Sequence, residues 1–393
     1  MSNGGAVPNV QRHFTYLKAR EAELAEELGR YVSIESGSRE KGGVDAVGRA
    51  VAPAFEELGF TIERISETEC GDHLIARRSG SGQGRLLALI HLDTLWPTGG
   101  LADNPFRVED GVAYGPGIRD MKGGWVVLLA ALRALDAAGW DGLAETTVFM
   151  TADEQLGSPR GRRWIEQEAD GADWALVMEP AREGGALVTS RGVVGAVAFD
   201  ITGVSAHSID RGKGINANLE AAHKILALEA MTDDARGVIV SVGLVQGGSS
   251  RQYTAARAWL SIDLRAPDDT TAQETLTRMQ VIANTTYVPG TTTTMSGGLT
   301  RPAFPTSVGA ERLLRLAQAC APAAGIDNIQ ATYSRGGSDG SFTAAMGVPT
   351  LDGLGIEGGG GFGLYENALI ASIPRRGALL AGIIEGLPGL LAE

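Results

Sequence analysis

The sequence predicts an α/β protein, with a mostly parallel sheet covered by helices on both faces and a ferredoxin-like α+β domain inserted into it. The chain has 393 residues, which is more than one ordinary hydrophobic core accommodates, so two domains are expected. In the first half, short and nearly continuous apolar runs alternate with helical patterns, as in sheets buried on both faces. Beyond Arg191 the runs alternate apolar and polar residues, as in sheets with one covered face.

The first part of the chain predicts helices and buried strands in alternation. Apolar residues recur at helical spacing in two opening segments and in a longer segment that Gly139 closes, and a charged helix follows. RLLALIHL, ETTVFMTADE and DWALVMEP are short apolar runs that end in polar residues, which is typical of buried strands. In chain order, the predicted elements are helices 13–36 and 44–59, strand 85–92, helix 122–140, strand 145–154, helix 160–169 and strand 173–180.

The inserted domain is predicted from the order of its elements. Strand, helix, strand, strand, helix and strand follow one another after Arg191, which is the order of a ferredoxin-like fold. The α/β pattern then resumes with helices 308–320 and 376–391. The predicted boundaries are 1–192 and 303–393 for a catalytic metal-binding domain and 193–302 for an inserted lid and dimerisation domain.

Composition narrows the functional classes. The net charge is −13, from 34 basic and 47 acidic residues, and no basic stripe is present, so we expect no nucleic-acid partner. Cys70 and Cys320 are the only cysteines and lie far apart, which favours a reducing compartment. No apolar segment reaches transmembrane length, and the first residues lack the apolar core of a signal peptide. We therefore expect a soluble, cytoplasmic protein without membrane contact.

Histidine and carboxylate residues follow several of the predicted strands. His91 and Asp93 lie at the carboxyl end of the first buried strand, where open α/β sheets place their ligand crevice. Glu154 and Glu179 follow the next two buried strands, and Asp120 precedes the helix predicted over 122–140. Histidine with carboxylates is a ligand set that suits zinc. Each motif alone also fits a structural role, such as a capped strand end or an acidic helix N-cap, but the ordered series favours a metal site.

Together these motifs resemble those of the M20 metallopeptidases, which include glutamate carboxypeptidase-like enzymes, aminoacylases and succinyl-diaminopimelate desuccinylases. HLDTLWP resembles the family's H-x-D-T-V-x-P, and DNPFRVEDGVAYGPGIRDMKGG resembles its PF-x-x-DG-x-x-(Y/W)GRG-x-x-DMKGG. DEQLGS resembles DEE-x-GS, ITGVSAHS resembles the start of the family's lid domain, and SIPRR resembles its C-terminal stretch. The resemblance extends over nearly the whole chain, and glutamate carboxypeptidases have the most similar pattern.

The resemblance implies roles for the residues at the matching positions. His91, Asp120 and Glu179 would hold one metal ion, with Asp120 at the position whose carboxylate bridges two metals in the family. Asp93 would orient His91. Glu154 would be the general base that takes a proton from the attacking water and passes it to the leaving amine.

The resemblance also implies roles for the inserted domain. His207 would reach the partner subunit's active site and polarise the scissile carbonyl, so a homodimer is expected. Arg265 is similar to a residue that holds the substrate's terminal carboxylate, a role that suits a planar guanidinium. Asn216 is a further candidate for the same pocket. The family's N-x-I-P stretch is replaced here by 251–255, RQYTA.

The sequence departs from the family at the second metal position. Gln155 replaces the second Glu of DEE, and a neutral amide is a poor ligand for a dication. The family's C-terminal histidine loop reads GIEGGGGFGLYEN here, and alignment from SIPRR places Gly361 or Phe362 at the histidine's position. No histidine follows His223, and Glu357 stays open as an alternative oxygen ligand. We therefore predict one zinc per subunit, with cobalt or manganese as alternatives.

Three functions stay open at this point. The first is a metallohydrolase that cuts an amide next to a free carboxylate, as in an N-acyl amino acid, a dipeptide or a C-terminal Glu-type substrate. The second is an M20-derived enzyme diverted to amide formation, acyl transfer or rearrangement of an amino-acid derivative. The third is a non-catalytic binding protein, although a binding module has no need of Glu154 as a base.

Overall fold

The computed structural model describes residues 8–361, 363 and 365–392, and these form two compact units. The first unit comprises the described residues up to Ser190, Thr306–Tyr333 and those from Ser338 onward, and the second comprises Arg191–Pro305 and Ser334–Gly337. Among the described helices, none combines the length and the apolar character that crossing a bilayer requires.

The α-helices vary from single turns to sixteen residues. In chain order they are α1 Val10–Lys18, α2 Glu21–Val32, α3 Lys41–Glu56, α4 Gly100–Asp103, α5 Gly123–Ala137, α6 Arg162–Ala169, α7 Ala217–Glu229, α8 Asp269–Asn284, α9 Val308–Cys320, α10 Gly340–Ala345 and α11 Ser372–Gly386.

The strands form one larger sheet and several smaller ones. In chain order they are β1 Thr61–Ile65, β2 His73–Ser79, β3 Arg85–His91, β4 Arg107–Glu109, β5 Val112–Tyr114, β6 Glu145–Thr151, β7 Trp174–Val177, β8 Leu187–Arg191, β9 Val193–Thr202, β10 Ile239–Gly247, β11 Arg257–Ala266, β12 Thr292–Arg301, β13 Ala331–Ser334, β14 Thr350–Leu351, β15 Gly358–Gly359 and β16 Asn367–Leu369.

The first unit is built on a six-stranded sheet in the order β1-β2-β6-β3-β7-β14. The pairs β6–β3, β3–β7 and β7–β14 are parallel, whereas β1–β2 and β2–β6 are antiparallel. Strands β3 and β7 are buried almost throughout because helices cover both faces. Helix α5 packs against α11 and is itself buried nearly all round, which explains its long apolar run.

The second unit has the predicted ferredoxin-like arrangement. Its elements follow the order β9, α7, β10, β11, α8, β12, and its antiparallel sheet has the strand order β10-β11-β9-β12. Burial alternates along β9 and β11 because one face packs against α7 and α8. The predicted fold class, a mostly parallel α/β domain with an inserted ferredoxin-like domain, is confirmed.

Two predicted helices differ from the observed ones. The segment predicted as one helix over 13–36 is broken at Ala19 and Arg20 into α1 and α2. Neither residue is a helix breaker, and the break lets α1 pack on α11 while α2 packs on α5. The final helix, predicted over 376–391, begins four residues earlier because Pro374 is tolerated in a first turn.

Candidate metal centre

The predicted ligands lie at the carboxyl ends of neighbouring parallel strands. His91 is the last residue of β3, Glu179 follows β7 by two residues, and Glu154 follows β6 by three. Because β6, β3 and β7 are parallel neighbours, their carboxyl ends share one edge of the sheet. Topology alone therefore brings a histidine and two carboxylates from distant parts of the sequence to one place.

His91, Asp120 and Glu179, named here the His91 cluster, offer ligand atoms that lie within 4.8 Å of one another. The Nε2 atom of His91 is 3.0 Å from Asp120 Oδ1 and 3.6 Å from Glu179 Oε1. All three side chains are buried. One imidazole nitrogen and two buried carboxylates are a donor set that fits a zinc ion.

The opposite ring nitrogen of His91 prepares the ring for a metal. Its Nδ1 donates to the backbone carbonyl oxygen of Asp93 at 2.8 Å, so the neutral ring keeps the lone pair of Nε2 for a ligand. Burial opposes protonation of the ring, but the hydrogen bonds to Asp120 and Asp93 outweigh it and raise the pKa of His91 well above its usual value. A metal ion would displace that proton.

The carboxylate of Asp93 acts mainly on the loop that carries Glu154. It accepts the backbone N–H groups of Glu154 at 3.1 Å and Gln155 at 3.0 Å, and it is fully buried. Its Oδ1 also lies 3.5 Å from His91 Nδ1. Asp93 therefore positions the histidine through its carbonyl oxygen and the Glu154 loop through its carboxylate.

Glu154 lies at the start of a short 3₁₀ turn, Glu154–Leu156, and its side chain is buried. It is close enough to His91 to favour the protonated ring electrostatically. Glu154 is therefore a buried carboxylate on a loop whose backbone is held at two successive N–H groups, a setting that suits a general base.

Gln155, at the position where the resemblance implies a second metal ligand, forms a hydrogen bond instead of presenting a carboxylate. Gln155 Nε2 donates to Asp120 Oδ2 at 3.0 Å, so the second oxygen of that carboxylate is occupied by an amide. Gly361 lies exposed in a turn with φ of 62°, and Phe362 lies outside the described residues. The Glu357 carboxylate interacts electrostatically with the buried guanidinium of Arg376.

Sequence reasoning missed Glu366, which shapes the loop of Asp120. This buried carboxylate accepts the backbone N–H groups of Gly117, Arg119 and Asp120 and the indole N–H of Trp96. Burial raises the pKa of Glu366 against these four hydrogen bonds. Glu366 lies in the glycine-rich stretch 355–367, which also contains Glu357, and no pattern in the sequence distinguishes it there.

The three candidate residues of the second unit make local contacts there. His207 Nδ1 accepts the backbone N–H of Ile209 at 3.3 Å, and its ring meets Tyr253 edge-on. Arg265 forms a two-pronged ion pair with Asp263, at 2.8 and 3.0 Å.

Asn216 is the N-cap of α7. Its Oδ1 accepts from Asn218 N and Leu219 N, at 3.0 and 3.4 Å. Its amide oxygen therefore has a structural use in capping the helix.

A further buried group, named here the His73 cluster, comprises Cys70, His73 and Asp153, whose potential ligand atoms also lie within 4.8 Å of one another. His73 Nδ1 accepts the backbone N–H of Ala152 at 2.9 Å. A neutral ring then carries its proton on Nε2, so neither nitrogen has a free lone pair. Burial lowers the pKa of His73, and it raises the pKa of Asp153 to about 7 and that of Cys70 to about 12.

An α/β unit with a His–Asp–Glu cluster at its strand ends, together with a ferredoxin-like unit, is typical of metal-dependent hydrolases. The model of Peptidase family M20/M25/M40 matches residues 87–386. The chain therefore belongs to this peptidase family, as its motifs predicted. Family membership supports amide-bond hydrolysis by a metal-dependent enzyme.

Individual proteins are similar to this chain in sequence or in fold. Carboxypeptidase G2 from Pseudomonas sp. (strain RS-16) is 30% identical over 368 residues, which cover 92% of this chain and 88% of that protein. A tripeptidase from Staphylococcus aureus has a TM-score of 0.74 at 19% identity, covering 94% of this chain and 99% of its own. An M20 family metallo-carboxypeptidase from Sulfolobus solfataricus has a TM-score of 0.73 at 15% identity, covering 93% and 99%. The two structures share the fold.

Proposed function

We propose that this protein is a zinc-dependent hydrolase that cleaves an amide bond next to a free carboxylate, in an N-acyl amino acid, a dipeptide or a C-terminal Glu-type substrate. The observation that carries the proposal is the convergence of His91, Asp120 and Glu179 within 4.8 Å at the strand ends. Family membership and the similarity to carboxypeptidase G2 support the same class of reaction.

One zinc ion per subunit would be held by the His91 cluster, and cobalt or manganese would use the same donors. When bound, such an ion activates water and polarises the scissile carbonyl. The hydrogen bond from Gln155 to Asp120 Oδ2 supports one ion rather than two, because it occupies the oxygen that would face a second ion.

Glu154 is the proposed general base. Asp93 holds its backbone in place, so the carboxylate can take a proton from the attacking water and pass it to the leaving amine without reorganisation. His207 is proposed to polarise the carbonyl of a substrate bound to the partner subunit. Because its Nδ1 accepts from Ile209, the neutral ring carries its proton on Nε2, which can donate to a carbonyl oxygen.

Arg265 and Asn216 are the proposed contacts for the substrate's terminal carboxylate. The guanidinium of Arg265 already engages Asp263, so a substrate carboxylate would share or replace that pair. Asn216 retains its amide N–H₂ for such a contact because only its oxygen caps α7.

A homodimer through the second unit is part of the proposal. Leu226 on α7 and Leu244 and Val245 on the edge strand β10 are more than half exposed, and an apolar edge strand of this kind favours pairing with another chain. A cytoplasmic location is proposed from cysteine usage, because Cys70 and Cys320 are buried free thiols.

The proposal is tested with the purified protein loaded with Zn²⁺, Co²⁺ or Mn²⁺ and offered a panel of N-acyl amino acids and dipeptides. We expect turnover of at least one member and loss of turnover when its free carboxylate is esterified. Elemental analysis should give one tightly bound metal per subunit, and two tight equivalents would refute the single-ion proposal. Equal null activity of wild type and Glu154→Gln across the panel would refute hydrolysis.

The second candidate is an M20-derived enzyme that forms, transfers or rearranges an amide of an amino-acid derivative. The occupied second position, where Gln155 bonds to Asp120, is the observation that favours it, because the centre departs from the family at that point. An acyl-acceptor amine added to the same assays discriminates the two: a new amide product that outpaces hydrolysis supports diversion.

A further inference from the structure

Two arginines lie directly beside the metal ligands without taking part in the proposed reaction. Arg119 immediately precedes Asp120, and Arg182 follows Glu179 by three residues. Arg119 Nη2 donates to the backbone carbonyl oxygen of Ala181 at 3.4 Å, which brings its guanidinium to the segment that carries Arg182. Both belong to the first unit, so their placement depends on one compact body.

Neither guanidinium is neutralised by a direct partner. Both side chains are partly buried, and the Nε atoms of Arg119 and Arg182 are buried without a hydrogen-bond acceptor among the described residues. In the same part of the chain, no carboxylate oxygen approaches either guanidinium within ion-pair distance. The two cations also repel each other, and burial together with this repulsion lowers the pKa of Arg119.

The nearby carboxylates are committed elsewhere. Asp120 and Glu179 attract Arg119 from a distance, but in the proposed enzyme they serve as ligands of the zinc ion. The carboxylate oxygens of Glu366 accept hydrogen bonds from backbone N–H groups. Two adjacent cations with unpaired and buried donors therefore lack a counter-ion once a metal is bound, and a bound anion would supply it.

We propose that Arg119 and Arg182 form a subsite for a carboxylate group of the substrate, beside the single metal position. A guanidinium presents a planar fork of donors that matches the two oxygens of a carboxylate. Because Arg265 is already proposed for the carboxylate that flanks the amide, this subsite would take an additional one. The inference rests on the proposed function and narrows its substrate class to amides that carry a second carboxylate.

The two arginines also add positive charge close to the proposed single-ion centre. Gln155 satisfies Asp120 Oδ2 without adding negative charge, and the arginines place positive charge on neighbouring chain segments.

The test is the binding of malonate and of inorganic phosphate to wild type, Arg119→Met and Arg182→Met, by calorimetry, in zinc-loaded and in chelator-treated protein. Each substitution should weaken malonate binding about tenfold or more, because each removes charge-assisted hydrogen bonds. Zinc content should not change. Arg182→Lys should fall between wild type and Arg182→Met, since it keeps the charge but loses the fork. Arg315→Met, on the exposed surface of α9, is the matched control and should bind as wild type does.

The outcomes separate this inference from the proposed function. Malonate affinity that is equal in wild type and both methionine variants overturns the subsite while the zinc site stands. Phosphate binding tighter than malonate overturns the carboxylate assignment. Failure of wild type to bind zinc refutes the proposed function, whereas arginine-dependent malonate binding in the chelated protein would still support the subsite. Circular dichroism shows whether each methionine variant is folded. Where one is not, malonate binding is measured on the variant with lysine at that position, and affinity equal to wild type overturns the subsite.

Discussion

The His91 cluster and the His73 cluster have nearly the same composition, yet the surrounding backbone uses them in opposite ways. In the His91 cluster, Nδ1 donates to a carbonyl oxygen and Nε2 points at two carboxylates. In the His73 cluster, Nδ1 accepts a backbone N–H, and Asp153 accepts the N–H groups of Arg160 and Gly161. Proximity of ligand atoms is the same in both, so proximity does not define a metal site.

The direction of one hydrogen bond accounts for much of the difference. A backbone carbonyl next to a ring nitrogen fixes the proton there and leaves the other nitrogen as a ligand, whereas a backbone N–H does the reverse. Asp120 shows the same rule within a single carboxylate, because Oδ1 faces His91 Nε2 while Oδ2 accepts from Gln155. A lone pair that accepts an N–H group is not available to a cation.

The largest expected effect separates the two clusters directly. His91→Ala should bind only substoichiometric zinc and lose all activity, because it removes the sole nitrogen ligand. It should also lose the stabilisation by metal, which for wild type at a zinc concentration of 100 times Kd is about 2.7 kcal/mol. Elemental analysis and thermal unfolding with and without zinc measure both. His73→Asn is the control and should keep its zinc; parallel zinc loss in the two variants would show that the clusters do not differ as argued.

The next effect distinguishes binding of the metal from its use. Glu154→Gln should lower kcat by about 10²–10⁴-fold, the usual contribution of a general base, while zinc content stays at the wild-type level. Steady-state kinetics on the best panel substrate and elemental analysis provide the readouts. Glu166→Gln, on the surface of α6, should have wild-type kcat. If kcat of Glu154→Gln were within a few-fold of the wild-type value, Glu154 would not be the general base.

A smaller effect is expected from changing Gln155, which donates a hydrogen bond to Asp120 Oδ2. In metal-free protein, Gln155→Glu should lower the free energy of unfolding by about 1–3 kcal/mol, because it replaces a hydrogen bond with repulsion between carboxylates. Excess zinc should recover that loss and add a weaker second equivalent. Gln155→Met is the matched variant that removes the donor without adding charge. Chemical denaturation and metal titration measure these effects, and a Gln155→Glu protein as stable as wild type with one zinc would contradict them.

The last effect concerns the pH dependence that the His73 cluster confers. Burial raises the folded-state pKa of Asp153 to about 7, so between the unfolded value of about 3.9 and pH 7 the folded state binds more protons than the unfolded state. Stability from this group is therefore present at low pH and falls as pH rises, by at most about 1.4 kcal/mol per pH unit. Asp153→Asn lacks this titrating carboxyl. Its free energy of unfolding should therefore rise relative to that of wild type as the pH increases from 4 to 7. A difference that is constant over this range would show that Asp153 titrates normally.

The sequence predicted much of the fold because its signals were local. Continuous apolar runs such as 85–92 indicated strands that are buried on both faces, and the order of elements after Arg191 predicted the ferredoxin-like unit. The break at Ala19 was not predictable, because no helix breaker marks it and only packing against α5 and α11 explains it.

The candidate site was predictable as a set of residue types but not as a set of hydrogen bonds. The sequence placed His91 and Glu179 at strand ends, and the resemblance to the M20 metallopeptidases grouped them with Asp120 as the expected ligands of one metal. Three features depend on tertiary structure. They are the hydrogen bond from Gln155 to Asp120, the hydrogen bonds from the Asp120 loop to Glu366, and the proximity of Arg119 to Arg182. No periodicity or spacing in the sequence encodes them.

The position of Glu366 in the chain has a consequence for biosynthesis. It lies 246 residues after Asp120, whose loop it holds through three backbone N–H groups. A ribosome that adds about 5–20 residues per second needs roughly 12–50 s to cover that distance. In the part of this interval that follows the synthesis of Glu179, the nascent chain contains every residue of the His91 cluster but not the carboxylate that fixes one of its loops. A product truncated before Glu366 would carry the three ligands and the Asp120 loop without the carboxylate that holds this loop in place.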